Sequence, residues 1–144
     1  MTDFEPPRVR TEVDVMFFDT DCGGVVSNIS YLRFIEIART KLAEKLGLRL
    51  AEMSQTGRYP VVVRTEIDYR RAAKLADRLV VEGWLDRLDR ARFWCAFRIV
   101  RLEDDTLIAE CRQMLALIEM PACTLLRLPS DWDKYRLTTV DPGK

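Results

Sequence analysis

Apolar and polar positions alternate along most of this chain. From residue 8 to 18, Val9, Thr11, Val13 and Val15 interleave with Arg8, Arg10, Glu12 and Asp14, and Met16-Phe17-Phe18 follow. A period of two marks a half-buried strand, so this segment predicts a first strand. Residues 61–70 repeat the pattern, with Val63, Thr65, Ile67 and Tyr69 on one face and Arg64, Glu66, Asp68 and Arg70 on the other. Leu79–Leu88, Phe93–Leu102 and Leu107–Met120 read as three more strands. Glu103-Asp104-Asp105-Thr106 and the stretch from Leu88 to Arg92 supply the turns between them.

Between the first two strands the period lengthens. Tyr31, Phe34, Ile35, Ala38, Leu42 and Leu46 form a stripe at helical spacing. They predict a helix from about Asn28 to Leu46, with Asn28 or Ser30 as its cap and Gly47 at the C-terminal left-handed position. Ile29, Leu32 and Ile37 widen the stripe, which predicts a helix covered on most sides, as by a sheet that curls around it. The order β-α-β-β-β-β with short links predicts an α+β architecture: an antiparallel sheet of about five strands against one long helix. Residues 121–144 carry Pro121, Pro129 and Pro142 and read as an appended tail with one helical turn near Ser130 to Tyr135.

Composition narrows the chemistry. The length of 144 residues argues for one domain over 1–144, with its core at about 8–120 and the tail at 121–144. A hydrophobic share of 48% is enough to build a core. Lys plus Arg and Asp plus Glu number 23 each, so the formal charge is zero, which argues against nucleic-acid binding through a basic face. No apolar run approaches the roughly 20 residues of a membrane helix. Residues 1–7 are acidic and Pro-bearing rather than signal-like. The expectation is a cytoplasmic protein with neither membrane nor nucleic-acid partner. Four cysteines without a C-x-x-C pair read as reduced thiols. Histidine is absent, which excludes Ser-His-Asp and Cys-His nucleophiles and His-ligated zinc. An enzyme of this composition must use a carboxylate, thiol, lysine, tyrosine or backbone amide.

One segment offers such groups. Asp19-Thr20-Asp21-Cys22-Gly23-Gly24 leads directly into the helix. Alone, D-x-D before Gly-Gly fits a turn, an Asx cap or half of a divalent-metal site. Apolar residues follow at once and few other acids stand near, so no metal is expected. The conjunction with a helix start carries more. Amides at a helix N-terminus bear partial positive charge and can polarise a carbonyl oxygen. A carboxylate just upstream can act on the polarised carbon, directly or through water. Thioester hydrolysis requires those parts and no histidine.

The segment resembles the hot-dog-fold acyl-CoA thioesterases of the 4-hydroxybenzoyl-CoA thioesterase type, including the Tol-Pal-associated bacterial members. Their signature, roughly D-x-D-x-x-G-[VI]-V followed by two aromatic or histidine positions and x-x-Y-L-R-x-x-E-x-x-R, is matched by Asp19, Asp21, Gly24, Val25, Val26, Tyr31, Leu32, Arg33, Glu36 and Arg39. A looser second block, Tyr69-Arg70-Arg71-Ala72-Ala73-Lys74-Leu75-Ala76-Asp77-Arg78-Leu79, is similar to Y-x-x-P-A-x-x-G-D-x-L, with Ala76 where the motif has Gly. The resemblance covers about residues 8–120. It implies a hot-dog fold, the sheet wrapped around a central helix, and hydrolysis of acyl-CoA to free acid and CoA without a cofactor. It implies that Asp21 is the catalytic base or nucleophile, that the Asn28 amide polarises the thioester carbonyl, and that Gly24 shapes the loop. It implies homodimers, often paired into homotetramers, with the site at the dimer interface. Tyr59, Pro60 and Val61 of the partner subunit would then line the site. Arg90 and Arg92, in the turn before Phe93, are candidates for the CoA phosphates, since Arg suits bidentate phosphate contacts.

Other residues have plainer readings. Asp19 reads as a structural acceptor of loop amides, Cys22 as a loop filler and Tyr31 as first-turn core. Glu36 reads as an ion-pair partner of Arg33 or Arg39, and as a reserve base. The chain departs from the motif at Ser27-Asn28, where relatives carry aromatic or histidine residues. That departure motivates an alternative, a non-catalytic acyl-CoA or acyl-carrier-protein binding module. A thioesterase acting on carrier-protein thioesters is a further variant.

Overall fold

Alternation builds the sheet. A computed structural model describes residues 5–136. Its strands are β1 (Arg8–Asp14), β2 (Arg58–Tyr69), β3 (Arg78–Leu88), β4 (Arg92–Arg101), β5 (Leu107–Glu119) and β6 (Thr124–Leu125). They lie in the order β1-β3-β4-β5-β2, with β6 paired to the end of β5, and every pairing is antiparallel. Helix α1 (Asn28–Lys45) packs against one face, burying Tyr31, Phe34, Ile35, Ala38 and Leu42 against Val13, Leu79, Leu85, Phe97 and Ile99. Each buried Val, Leu, Ile or Phe among them stabilises the fold by about 1.5–3 kcal/mol relative to exposure. Gly83 gives β3 the clearance this requires, because a Cβ there would stand 2.9 Å from the Phe97 ring. The result is the hot-dog fold that the resemblance implies.

Polar groups between helix and sheet are paired. Lys41 Nζ donates to Thr11 Oγ1 at 2.7 Å. Arg39 Nη1 donates to Gln113 Oε1 at 2.7 Å, and Gln113 Nε2 donates to Thr65 Oγ1.

Several expectations are corrected. The first strand ends at Asp14; Phe17–Asp19 form a 3-10 turn, and Phe17 and Phe18 are exposed rather than strand core. The cap of α1 is Ser27, not Asn28 or Ser30; its hydroxyl accepts the Ser30 N–H. The helix closes as expected at Gly47 (φ 88°). There the Gly47 and Leu48 amides bond back to Glu44 and Ala43. The helix is not covered on most sides, since Ile29 is 74% exposed and Leu32 is also exposed. A short helix α2 (Leu50–Thr56), absent from the sequence reading, precedes β2. Val63 falls at a bulge and is exposed rather than facing the helix. The main path of the sheet has the expected five strands, and the two-residue β6 adds a short sixth at the end of β5.

Within the described part of the tail, residues 121–136, Leu128 and Trp132 pack into the core. The expected turn at Ser130–Tyr135 is present and carries Trp132, which is 1% exposed. Its indole N–H donates to the Leu46 carbonyl at 2.9 Å, and its ring meets Phe93 edge-on. Residues 1–4, part of the leader reading, and Pro142 lie outside the described residues.

Candidate active site

The loop between β1 and α1 is built around Asp19. This carboxylate is 1% exposed. Its Oδ2 accepts the Met16 N–H at 2.9 Å, and its Oδ1 accepts both Arg33 Nε and Nη2, the latter at 2.6 Å. The Asp19 carbonyl accepts the Ser27 N–H. The chain therefore leaves and returns at one residue. Between those points Thr20 bridges Val26, and the Asp21 N–H donates to the Val25 carbonyl. The turn closes at Gly24, whose φ of 73° favours glycine. Asp21 is exposed, and its Oδ1 accepts the Gly23 N–H at 3.0 Å. Cys22 beside it is exposed too.

Asn28 is the first residue of α1. Its N–H has no acceptor within the helix, as for any first-turn amide, and no protein acceptor among the described residues. With Ser27 as the cap, that amide is available to an oxygen outside. The serine that departs from the family pattern thus has a local reason, since Ser is favoured at this position.

The second motif block passes over this loop. Arg70 to Asp77 join β2 to β3 across the N-terminal end of α1. The Val26 N–H donates to the Ala73 carbonyl, the Leu75 N–H reaches the Gly24 carbonyl, and Val25 bridges Lys74. The Ala73 N–H donates to the Tyr31 hydroxyl at 3.0 Å. The Tyr69 hydroxyl donates to the Asn28 carbonyl at 3.4 Å, and its ring lies 5.4 Å from that of Tyr31. Burial raises the Tyr31 hydroxyl above its ordinary value; the Ala73 N–H opposes this, and Tyr69 and Asp77 add to it. A recess of about 310 Å³ opens here, lined by Val26, Asn28, Tyr31, Tyr69, Arg71 and Ala72. The sequence reading assigned Tyr69 and Ala73 no site role. Their signal was membership of a motif whose crossover could not be located without the fold.

The remaining candidates lie elsewhere. Tyr59, Pro60 and Val61 begin β2, at the end of the sheet opposite Tyr69. Val61 and Arg92 both pair with Ala116, so they share one row. Arg90 and Arg92 are exposed there. One chain does not bring these five residues to Asp21. Glu36 pairs with Arg39 at 3.6 Å, one of its two expected partners, while Arg33 pairs with Asp19. The two acids of D-x-D differ in setting, one buried in an ion pair and the other exposed, which does not suit them to share one cation. Among the described residues no cluster of three or more metal-ligating side chains occurs.

The profile of the thioesterase-like superfamily matches residues 15–138. The chain belongs to this superfamily. It is 38% identical over 90 residues to an acyl-CoA thioesterase, YbgC, of Haemophilus influenzae, covering 62% of this chain and 66% of that protein. It is 32% identical over 115 residues to the Escherichia coli acyl-CoA thioester hydrolase YbgC, covering 76% and 81%. The match to YneP of Bacillus subtilis spans 56% of that relative's length. Among solved structures, the 1,4-dihydroxy-2-naphthoyl-CoA thioesterase Slr0204 from Synechocystis superposes with a TM-score of 0.79 at 25% identity, covering 94% of this chain and all of that one. The DHNA-CoA thioesterase of Staphylococcus aureus, 24% identical, has the same fold with a TM-score of 0.81, covering 91% and 90%.

Proposed function

We propose that this superfamily member hydrolyses acyl-CoA thioesters to free acid and CoA. The observation that carries the reading is the unpaired Asn28 amide at the start of α1, with the exposed Asp21 carboxylate on the loop tied to that same helix start. The thioester carbonyl oxygen accepts the Asn28 N–H. Asp21 either takes a proton from the attacking water or adds to the carbon itself, giving an anhydride that water opens. In both routes the C–S bond breaks and the thiolate leaves as CoA thiol after protonation. A well-placed donor to the developing oxyanion contributes about 10²–10³-fold in rate.

The active unit is a homodimer. β2 is an edge strand of 12 residues, and an open edge of that length invites pairing. Antiparallel pairing of two β2 strands runs the Tyr59 end of one beside the Tyr69 end of the other. It would bring the partner subunit's Tyr59, Pro60 and Val61 to Asp21 and Asn28. Arg90 and Arg92, exposed at that same end, then serve the CoA phosphates. The exposed Ile29 and Leu32 on α1 are consistent with a further covering surface. Because the Ser27 side chain is accounted for as a cap, Ser27-Asn28 is no argument for a non-catalytic module. Thiol release from acyl-CoA by wild type, lost in Asp21→Asn, tests the reading.

A further inference from the structure

Asp19 touches three separate pieces of the site. Its carboxylate holds the exit of β1 through the Met16 N–H, and the second turn of α1 through the Arg33 guanidinium. Its carbonyl holds the cap residue Ser27. The Arg33 guanidinium in turn lies over the rings of Phe18 and Phe34, at 5.3 and 5.1 Å from their centroids. A carboxylate this buried is costly unless paired, and its charge is met by a forked cation rather than by water. The fork fixes direction as well as charge. Asp21 stands two residues beyond Asp19, and Asn28 one residue beyond Ser27.

We infer that the Asp19–Arg33 pair is the positioning device that holds the Asp21 carboxylate in register with the Asn28 amide. Neither residue touches the substrate. Arg33 pulls Asp19 onto α1, and Asp19 carries both ends of the loop with it. The role rests on the thioesterase reading above. A displacement near 1 Å at a reacting group costs about 100-fold in rate, so the pair controls turnover rather than binding.

The test uses the full chain with Arg33→Lys, Arg33→Ala and Asp21→Asn beside wild type. Asp19→Asn is avoided as the primary variant because the altered side chain is buried and can fail to fold. For Arg33→Ala, kcat is expected to fall about 10- to 100-fold with KM within about twofold. Guanidinium ion at concentrations that do not unfold the protein restores part of that loss, because it refills the fork. Arg33→Lys keeps the charge, loses the fork and stays slow. A folded Arg33→Ala with wild-type kcat, in an assay where Asp21→Asn is dead, overturns the inference and leaves the thioesterase reading standing. So does a loss that guanidinium does not reverse and that Arg33→Lys repairs. If wild type itself hydrolyses no thioester, that reading fails and the pair is judged by amide exchange at Gly23, Gly24 and Val25. Exchange about tenfold faster in Arg33→Ala, with the sheet unchanged, supports the holding role; unchanged exchange overturns it.

Discussion

The hydroxyl of Tyr31 accepts the backbone N–H of Ala73 at 3.0 Å, across 42 positions of sequence. This bond joins the helix start to the β2–β3 crossover, and so joins the two motif blocks. Replacing Tyr31 by Phe leaves a buried N–H without a partner, which costs about 1–3 kcal/mol. Denaturant unfolding of Tyr31→Phe beside wild type measures it. The buried phenol favours its neutral form, and its folded value is raised above 10.0. Its contribution is therefore fully present below that ordinary value and is lost as pH rises through the folded value. The difference between the two proteins is expected to be constant below pH 10 and to shrink above it.

Ala76 carries strain that glycine would not. It stands where the resembling motif has Gly, and its φ is 71°. A left-handed conformation costs an L-residue roughly 1–2 kcal/mol, against about 0.4–1 kcal/mol of added chain entropy for glycine in the unfolded state. Ala76→Gly is expected to stabilise the protein by up to about 1 kcal/mol, visible as a higher urea midpoint at unchanged slope.

The four thiols divide by position. Burial pushes Cys95 and Cys111 up to about 12, with Arg39 opposing it in both cases and with Asp86 and Glu66 respectively adding to it. Cys22 and Cys123 are exposed. An alkylating reagent at mildly alkaline pH is expected to modify Cys22 and Cys123 and to reach the other two only on unfolding, as mass spectrometry of digests would show. The neutral buried thiols favour the folded state up to their ordinary value of 9.0. That contribution falls as pH rises from there toward 12.

The β2 edge is the proposed dimer contact. Val62 and Val63 are exposed on it. Lysine at both positions places charge where strands would pair, and is expected to give a monomer by light scattering with thioesterase activity lost. A dimer that persists and remains active contradicts the assignment of this edge.

The sequence pattern reached most of the fold for a definite reason. Strands β3 to β5 were legible because each carries a run of buried apolar residues, such as Leu79, Val81 and Leu85, Phe93, Cys95 and Phe97, and Ile108, Cys111 and Leu115. Where burial does not track apolarity the pattern misled. Met16-Phe17-Phe18 is apolar, yet the chain turns there, because the Asp19 carboxylate captures the Met16 N–H. Helix α2 buries none of its residues, so it leaves no stripe to read; Gly57 (φ 73°) just after it was the available signal. The burial of Trp132 was not legible, since nothing local announces that its partner is the Leu46 carbonyl. At the site, Asp21, Gly24 and Asn28 were legible as a loop entering a helix. Asp19 was legible too as an acceptor of loop amides, which it is for Met16 N–H. Its pairing with Arg33 and the support from Ala73 were not, because they depend on contacts across the chain.

The most direct test of the account deletes one hydrogen. Asn28 is the first helical residue, a position that accepts proline, and Ser27 before it is already extended (φ −69°, ψ 150°), as a residue before proline must be. Asn28→Pro therefore removes the amide and keeps the helix, while Asn28→Ala keeps both. Thiol release would be measured for both variants, wild type and Asp21→Asn on short, medium, long and aromatic acyl-CoAs. Asn28→Ala is expected to stay near wild type, Asn28→Pro to lose about 10²–10³-fold in kcat, and Asp21→Asn to be inactive. A folded Asn28→Pro as fast as wild type would contradict the role of that amide.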